Sequence, residues 1–209
     1  MSHRRPAFVF LDLGNVIVSF DRPRAHRQMA DAAGLPLAAV EAVLAETRLE
    51  ERLERGLVDW PGFHAEFSAR TGSACDPRRL AEAASDMFTL NVALLPVIAG
   101  LERAGLPLGI LSNTCGIHWE HLLRSGYAVL PGRFAVTVLS HEVAAVKPEP
   151  AIYAAAAARA GVPPEAIFFC DDIPAHVEAA RACGWDAEVF ESASGLIDAL
   201  DRRGLDLGV

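Results

Sequence analysis

Lysine is almost absent from this sequence: of its 19 basic residues, 18 are arginine and one, Lys147, is lysine. Positive charge as a whole is in deficit, because 27 acidic residues leave a formal net charge of -8. A field of that sign repels nucleic acid and anionic membrane surfaces, so neither is expected as a partner. Long apolar runs are missing too. The N-terminal stretch Ala7 to Leu11 is interrupted by Asp12, which is too short for a signal-peptide core. No later run approaches the roughly 18 apolar residues of a membrane helix. The 4 cysteines, Cys75, Cys115, Cys170 and Cys183, form no CxxC pair, which argues against a zinc knuckle or a disulfide framework and for a reduced cytoplasm. There is no GxGxxG after a strand, no GxxxxGK[ST], no GxSxG and no HExxH. Dinucleotide binding, P-loop hydrolysis, serine hydrolysis and zincin proteolysis therefore lack support.

What is present suffices for a buried core. Across 209 residues, 52% are hydrophobic and 22% charged, in keeping with one domain that carries a sizeable insertion. Ala7 to Leu11 reads as a buried strand ending on Asp12, with Gly14-Asn15 as a turn. From Asp21 to Phe88 the pattern is helical, broken at Gly34, Gly56 and Gly72, with no convincing strand. Asp59 before Trp60-Pro61 and Asp76 before Pro77 read as N-caps. Beyond Asn91, strands at Leu106 to Leu111, Phe134 to Leu139, Ala166 to Cys170 and Ala187 to Phe190 alternate with helices, which implies a parallel sheet. The expected fold is α/β: a doubly wound, parallel-sheet, Rossmann-like core from residues 1–20 and 89–209, interrupted by a helical insert at 21–88. The alanine tract 154 to 158 fits a helix packed closely on the sheet.

Ligands of such sheets bind beyond the carboxyl ends of the strands. The residues there are Asp12, Ser112-Asn113, Ser140 with Lys147 soon after, and Asp171-Asp172. Singly each is ambiguous, since an Asp at a strand end also serves as a turn or cap residue. Adjacent carboxylates such as Asp171-Asp172 repel unless a cation or proton reconciles them, and magnesium, which takes hard oxygen ligands, is the simplest such cation. The bland alternative is a helix N-cap with Asp172 facing the dipole. Lys147 departs from the arginine habit of the chain, and a compact ammonium suits bridging a carboxylate and a phosphoryl oxygen.

Together, Asp12-Leu13-Gly14-Asn15-Val16, Leu111-Ser112-Asn113-Thr114, Val146-Lys147-Pro148-Glu149-Pro150 and Phe168-Phe169-Cys170-Asp171-Asp172 resemble the four ordered motifs of the haloacid dehalogenase superfamily. The helical insert resembles that superfamily's cap, and the first motif is similar to that of small bacterial sugar-phosphate phosphatases. The resemblance implies a phosphatase acting on a small phosphorylated metabolite, with Asp12 forming an aspartyl phosphate. It implies magnesium held by Asp12, the Gly14 carbonyl, Asp172 and Asp171, direct or through support. Ser112 and the Asn113 backbone amide would bind phosphoryl oxygens, and Lys147 would bind both Asp12 and the transferring group.

Gly14 departs from the pattern, because phosphatases of this superfamily commonly carry there an Asp that protonates the leaving oxygen. The expected consequence is a preference for leaving groups that need little protonation, or a proton taken from His118, His141 or His176. A metal-free dehalogenase attacking a carbon-halogen bond also lacks that Asp, and a non-catalytic phosphate- or partner-binding domain is a third reading. Specificity is expected from the insert, around Glu51 to Trp60, and the basic residues Arg22, Arg24, Arg48, Arg52 and Arg55 could meet an anionic substrate, although arginines on helices are usually solvated. The sequence leaves the oligomeric state open.

Overall fold

Buried on every residue, Phe8–Leu11 forms the central strand of the molecule, because helices cover both its faces. The structure, a computed structural model, describes residues 4–130 and 132–208. In chain order, strands β1 (Phe8–Leu11) and β2 (Val18–Phe20) precede five helices, α1 (Arg22–Ala33), α2 (Leu37–Thr47), α3 (Leu49–Glu54), α4 (Trp60–Thr71) and α5 (Pro77–Ser85). Strand β3 (Phe88–Leu90) and helix α6 (Leu95–Arg103) lead into β4 (Leu108–Ser112), α7 (Gly116–Arg124), β5 (Val136–Leu139), the single turn α8 (Ser140–Val143) and α9 (Pro150–Ala160). The chain closes with β6 (Ile167–Asp171), α10 (Pro174–Ala182), β7 (Asp186–Val189) and α11 (Ala193–Asp201).

Five strands make one parallel sheet in the order β5-β4-β1-β6-β7. The order reverses at β1, and the register Leu11 with Ile110 and with Cys170 brings the carboxyl ends of β1, β4 and β6 level. Alternation splits each strand between two cores. Val9, Leu11, Ile110 and Phe168 pack with Val97 and Leu101 of α6 and Leu200 of α11, whereas Phe8, Phe10, Leu111 and Phe169 pack with Ile152, Tyr153 and Ala156 of α9 and Val177 of α10. Small residues in the alanine tract let α9 approach the sheet. Gly109 meets the same need on β4, since a Cβ there would lie 2.4 Å from the Phe10 ring.

Helices α1 to α5 surround a third core of Met29, Val40, Leu44, Leu53, Phe63, Phe67 and Leu80, which Cys115 of the β4–α7 loop also joins. The Asp59 side chain accepts from the Gly62 amide at 2.9 Å and that of Asp76 from the Arg78 and Arg79 amides at 2.9 Å, so both caps form as read. One expectation fails at the margin of this region. β2 and β3 pair antiparallel, Phe20 opposite Phe88, so strand structure reaches into the stretch read as wholly helical. Three-residue strands show no usable periodicity, and their partners lie 70 residues apart. Among the described residues no single helix is long and apolar enough to cross a membrane, and the four cysteines are free.

Candidate active site

Lys147 lies at the centre of the carboxyl-end crevice. Its Nζ is 2.7 Å from Asp12 Oδ1 and 2.5 Å from Asp171 Oδ2, donates to the Leu111 carbonyl at 3.0 Å, and sits 5.5 Å from the Phe169 ring centre. All three ionisable groups are buried. Burial pushes the Asp12 carboxyl up to about 6, opposing the pull of the Lys147 charge. Burial acts on Asp171 in the same sense, but the hydrogen bond from His176 and the charge of Lys147 outweigh it and hold Asp171 below the usual carboxylate range. For Lys147 burial favours the neutral amine, and the two carboxylates reverse that and keep the ammonium charged.

Position is enforced through the backbone. The Asn113 side chain accepts from the Lys147 amide at 2.7 Å and donates to the Lys147 carbonyl at 3.0 Å, so the loop after β4 clamps the loop carrying the lysine. The Lys147-Pro148 peptide bond is cis. Asp171 Oδ1 accepts from the Ile173 amide at 2.8 Å and lies 3.0 Å from His176 Nδ1. Asp172 is less buried and accepts from Asn15 Nδ2 at 3.0 Å. Oxygens of Asp12, Asp171 and Asp172 come within 4.8 Å of one another, a hard-donor set that suits a small divalent cation.

Ser112 is buried at the end of β4 and, with Gly14 and Asn113, lines a cavity of about 50 Å³ roofed by Phe20, Arg22, Glu54 and Phe88. Gly14 bears no side chain, and a Cβ there would lie 3.0 Å from the Phe20 ring. Asp12, Gly14, Ser112, Asn113, Lys147, Asp171 and Asp172 are thus gathered around one crevice, whereas Ser140, also singled out at a strand end, is buried beside Thr114, accepting from its amide at 2.9 Å and lying 3.0 Å from its carbonyl, and does not line the cavity.

Residues 7–184 match the family model of the haloacid dehalogenase-like hydrolases. The chain belongs to this hydrolase family. Among relatives of this haloacid dehalogenase-like hydrolase, the glyceraldehyde 3-phosphate phosphatase of Methanopyrus kandleri is 27% identical over 160 residues, covering 70% of this chain and 67% of that protein. A phosphatase of Mycobacterium tuberculosis is 26% identical over 209 residues, covering 96% and 94%. Among solved structures, a haloacid dehalogenase family enzyme from Bacteroides thetaiotaomicron matches with a TM-score of 0.81 at 22% identity, over 93% of this chain and 98% of its own. That enzyme has also been crystallised with magnesium and inorganic phosphate.

Other candidates of this haloacid dehalogenase-like hydrolase separate by position. His176 is engaged with Asp171, and His141 Nδ1 lies 2.9 Å from the Thr114 carbonyl, outside the cavity. His118 lines the cavity, but burial pushes its imidazole down to about 4, so it is neutral near pH 7. Four of the five arginines considered for an anionic substrate are paired with carboxylates away from the cavity: Arg24 with Asp86, Arg48 with Glu51, Arg52 with Glu66, and Arg55 with Glu51 and Glu149. Arg22 alone of them lines it, 3.5 Å from Glu54. Glu54 falls within the stretch Glu51 to Trp60 expected to supply specificity, but the sequence reading assigned it no chemistry. Nothing in the motif spacing links it to Gly14, and only the docking of α3 brings it over the crevice.

Proposed function

We propose that this hydrolase is a magnesium-dependent phosphatase of a small phosphorylated metabolite, possessing an aspartyl-phosphate intermediate on Asp12. The observation that carries the reading is the trio of carboxylates, Asp12, Asp171 and Asp172, gathered beside one buried ammonium at the point where strand order reverses. The phosphatase relatives support it. The Asp12 and Asp172 carboxylates and the Gly14 carbonyl would hold magnesium. Asp171, with both oxygens already hydrogen-bonded, completes the set mainly by anchoring Lys147 and His176. Bound there, magnesium would neutralise charge between nucleophile and phosphoryl group.

In this reading an oxygen of Asp12 attacks phosphorus in line, and Lys147 holds that carboxylate in place while drawing charge from the phosphoryl oxygens. The Ser112 hydroxyl and the Asn113 amide donate to the remaining oxygens. The insert, residues 21–88, acts as a cap that closes over the crevice, and the small cavity beneath it admits a substrate only after the cap lifts.

The test is release of phosphate from p-nitrophenyl phosphate with and without magnesium, by the wild type and by Asp12→Asn. Turnover that needs both supports the phosphatase. Dehalogenation is the second reading, favoured by the side-chain-free Gly14 and the apolar Phe20 and Phe88 above it. Turnover of a 2-haloacid without magnesium, and no release of phosphate, would replace the first reading by the second.

A further inference from the structure

We propose that Glu54 of the cap is the proton donor and acceptor of this site, and that the enzyme can therefore act on alkyl phosphates. The inference rests on the phosphatase reading and names a group which that reading leaves open. An alkyl ester departs as an alkoxide unless a proton reaches its oxygen, so the cavity must offer an acid. Asp12 and Asp171 are tied to Lys147, and Asp172 to Asn15. Gly14 has nothing to give, and the Phe20 ring lies 3.0 Å from where its Cβ would be. Of the groups lining the cavity, Glu54 is the carboxyl that remains.

Its surroundings are built. The Ser140 hydroxyl donates to the Glu54 carbonyl at 2.5 Å, which pins the end of α3 to the core beside β5. Arg22 from α1 stands 3.5 Å from the carboxyl and 5.9 Å from the Phe20 ring centre, so one cation ties the carboxyl to the aromatic residue that covers Gly14. Glu50 and Glu51 on the same helix are the like charges nearby, and Cys115 and His118 face it from the start of α7. Burial leaves the Cys115 thiol and the His118 imidazole uncharged near pH 7. The Glu54 carboxyl is pushed up to about 7, by burial first and by Glu50 and Glu51 next, against the pull of Arg22. It can hold a proton and release it in the same pH range.

The steps balance without another reagent. As the Asp12 oxygen bonds to phosphorus, the ester P–O bond breaks, its electron pair stays on the leaving oxygen, and the Glu54 proton moves there to give the alcohol. The Glu54 carboxylate then takes a proton from water whose oxygen attacks the aspartyl phosphate. The Asp12–phosphorus bond breaks, its electrons return to the Asp12 carboxylate, and phosphate leaves with Glu54 protonated again.

The experiment compares kcat/KM for β-glycerol phosphate and p-nitrophenyl phosphate in the wild type and Glu54→Gln. Loss of general acid catalysis should lower the alkyl value by roughly 10²- to 10⁴-fold and the aryl value by less than about tenfold, since nitrophenolate departs unprotonated. A burst of nitrophenolate should appear as the phosphorylated enzyme accumulates. Arg22→Gln should move the alkaline limb of the alkyl pH profile upward. Equal losses on both esters, with no burst, would overturn the role of Glu54 and leave the phosphatase reading intact. A wild type inactive on both esters would overturn that reading and the reaction step with it. Infrared difference spectra of wild type against Glu54→Gln test the acid itself: a carboxyl titrating near 7 is expected, and one titrating in the ordinary glutamate range overturns the proposal whatever the activity.

Discussion

Lys147 holds together two buried carboxylates, Asp12 and Asp171, that would repel each other without it. Removing one partner of a buried ion pair leaves charge uncompensated, so Lys147→Ala should cost about 3–5 kcal/mol in urea unfolding. Lys147→Arg should not rescue activity, because a planar fork cannot replace a point charge between two closely placed oxygens. Asn113→Ala should also destabilise, by about 1–3 kcal/mol, since it leaves the Lys147 amide and carbonyl without their partners. Asp12, Ser112, Lys147 and Asp171-Asp172 were legible because each stands at or soon after a strand end, where sequence order and the parallel sheet dictate position. Glu54 lay in the stretch expected to supply specificity, but its role as a buried carboxyl was not legible, since helical glutamates are ordinarily solvated and only tertiary packing buries this one. Its raised pKa has a consequence for stability. Between the ordinary 4.5 and about 7 the folded state keeps a proton that the unfolded chain releases, so the contribution is whole below 4.5 and is lost as pH rises through 7. Glu54→Gln should therefore gain stability over the wild type between pH 5 and pH 8, by up to about 3 kcal/mol, as thermal melting at the two pH values will show.

At the scale of elements, the end of α3 is where the cap meets the core. Gly56 has φ +69, and a Cβ there would fall 2.5 Å from the His141 carbonyl on α8. Backbone against backbone cannot yield as a flexible side chain would, so any side chain at 56 must lift α3 and carry Glu54 away from the crevice. Gly56→Ala should lose about 1–3 kcal/mol of stability and lower kcat together with kcat/KM, a combination that steady-state kinetics beside a melting curve will reveal. The Arg55–Glu149 ion pair, 2.7 Å, fastens the same corner to the loop that carries Lys147. Helices with caps and long alternating strands were readable from the chain, as Asp59 and Asp76 show. β2 and β3 were not, because each is short and stable only through the other.

For the whole molecule, the site is assembled from segments some 160 residues apart, and a ligand that binds them all should stabilise the fold by mass action. Magnesium is expected to raise the melting temperature of the wild type and to leave Asp172→Asn nearly unchanged, which differential scanning fluorimetry can measure. The sequence by itself determined the parallel α/β architecture, the helical character of the insert and the strand-end set from Asp12 to Asp172. Apolar periodicity and turn chemistry are local, and a doubly wound sheet gathers its strand ends in one place. Only the tertiary structure decided which side chains are spoken for and which face the cavity. Partnering and burial depend on packing between distant segments: Asn113 clamps Lys147, Phe20 covers Gly14, and the docking of α3 brings a single half-buried carboxyl, Glu54, to the crevice.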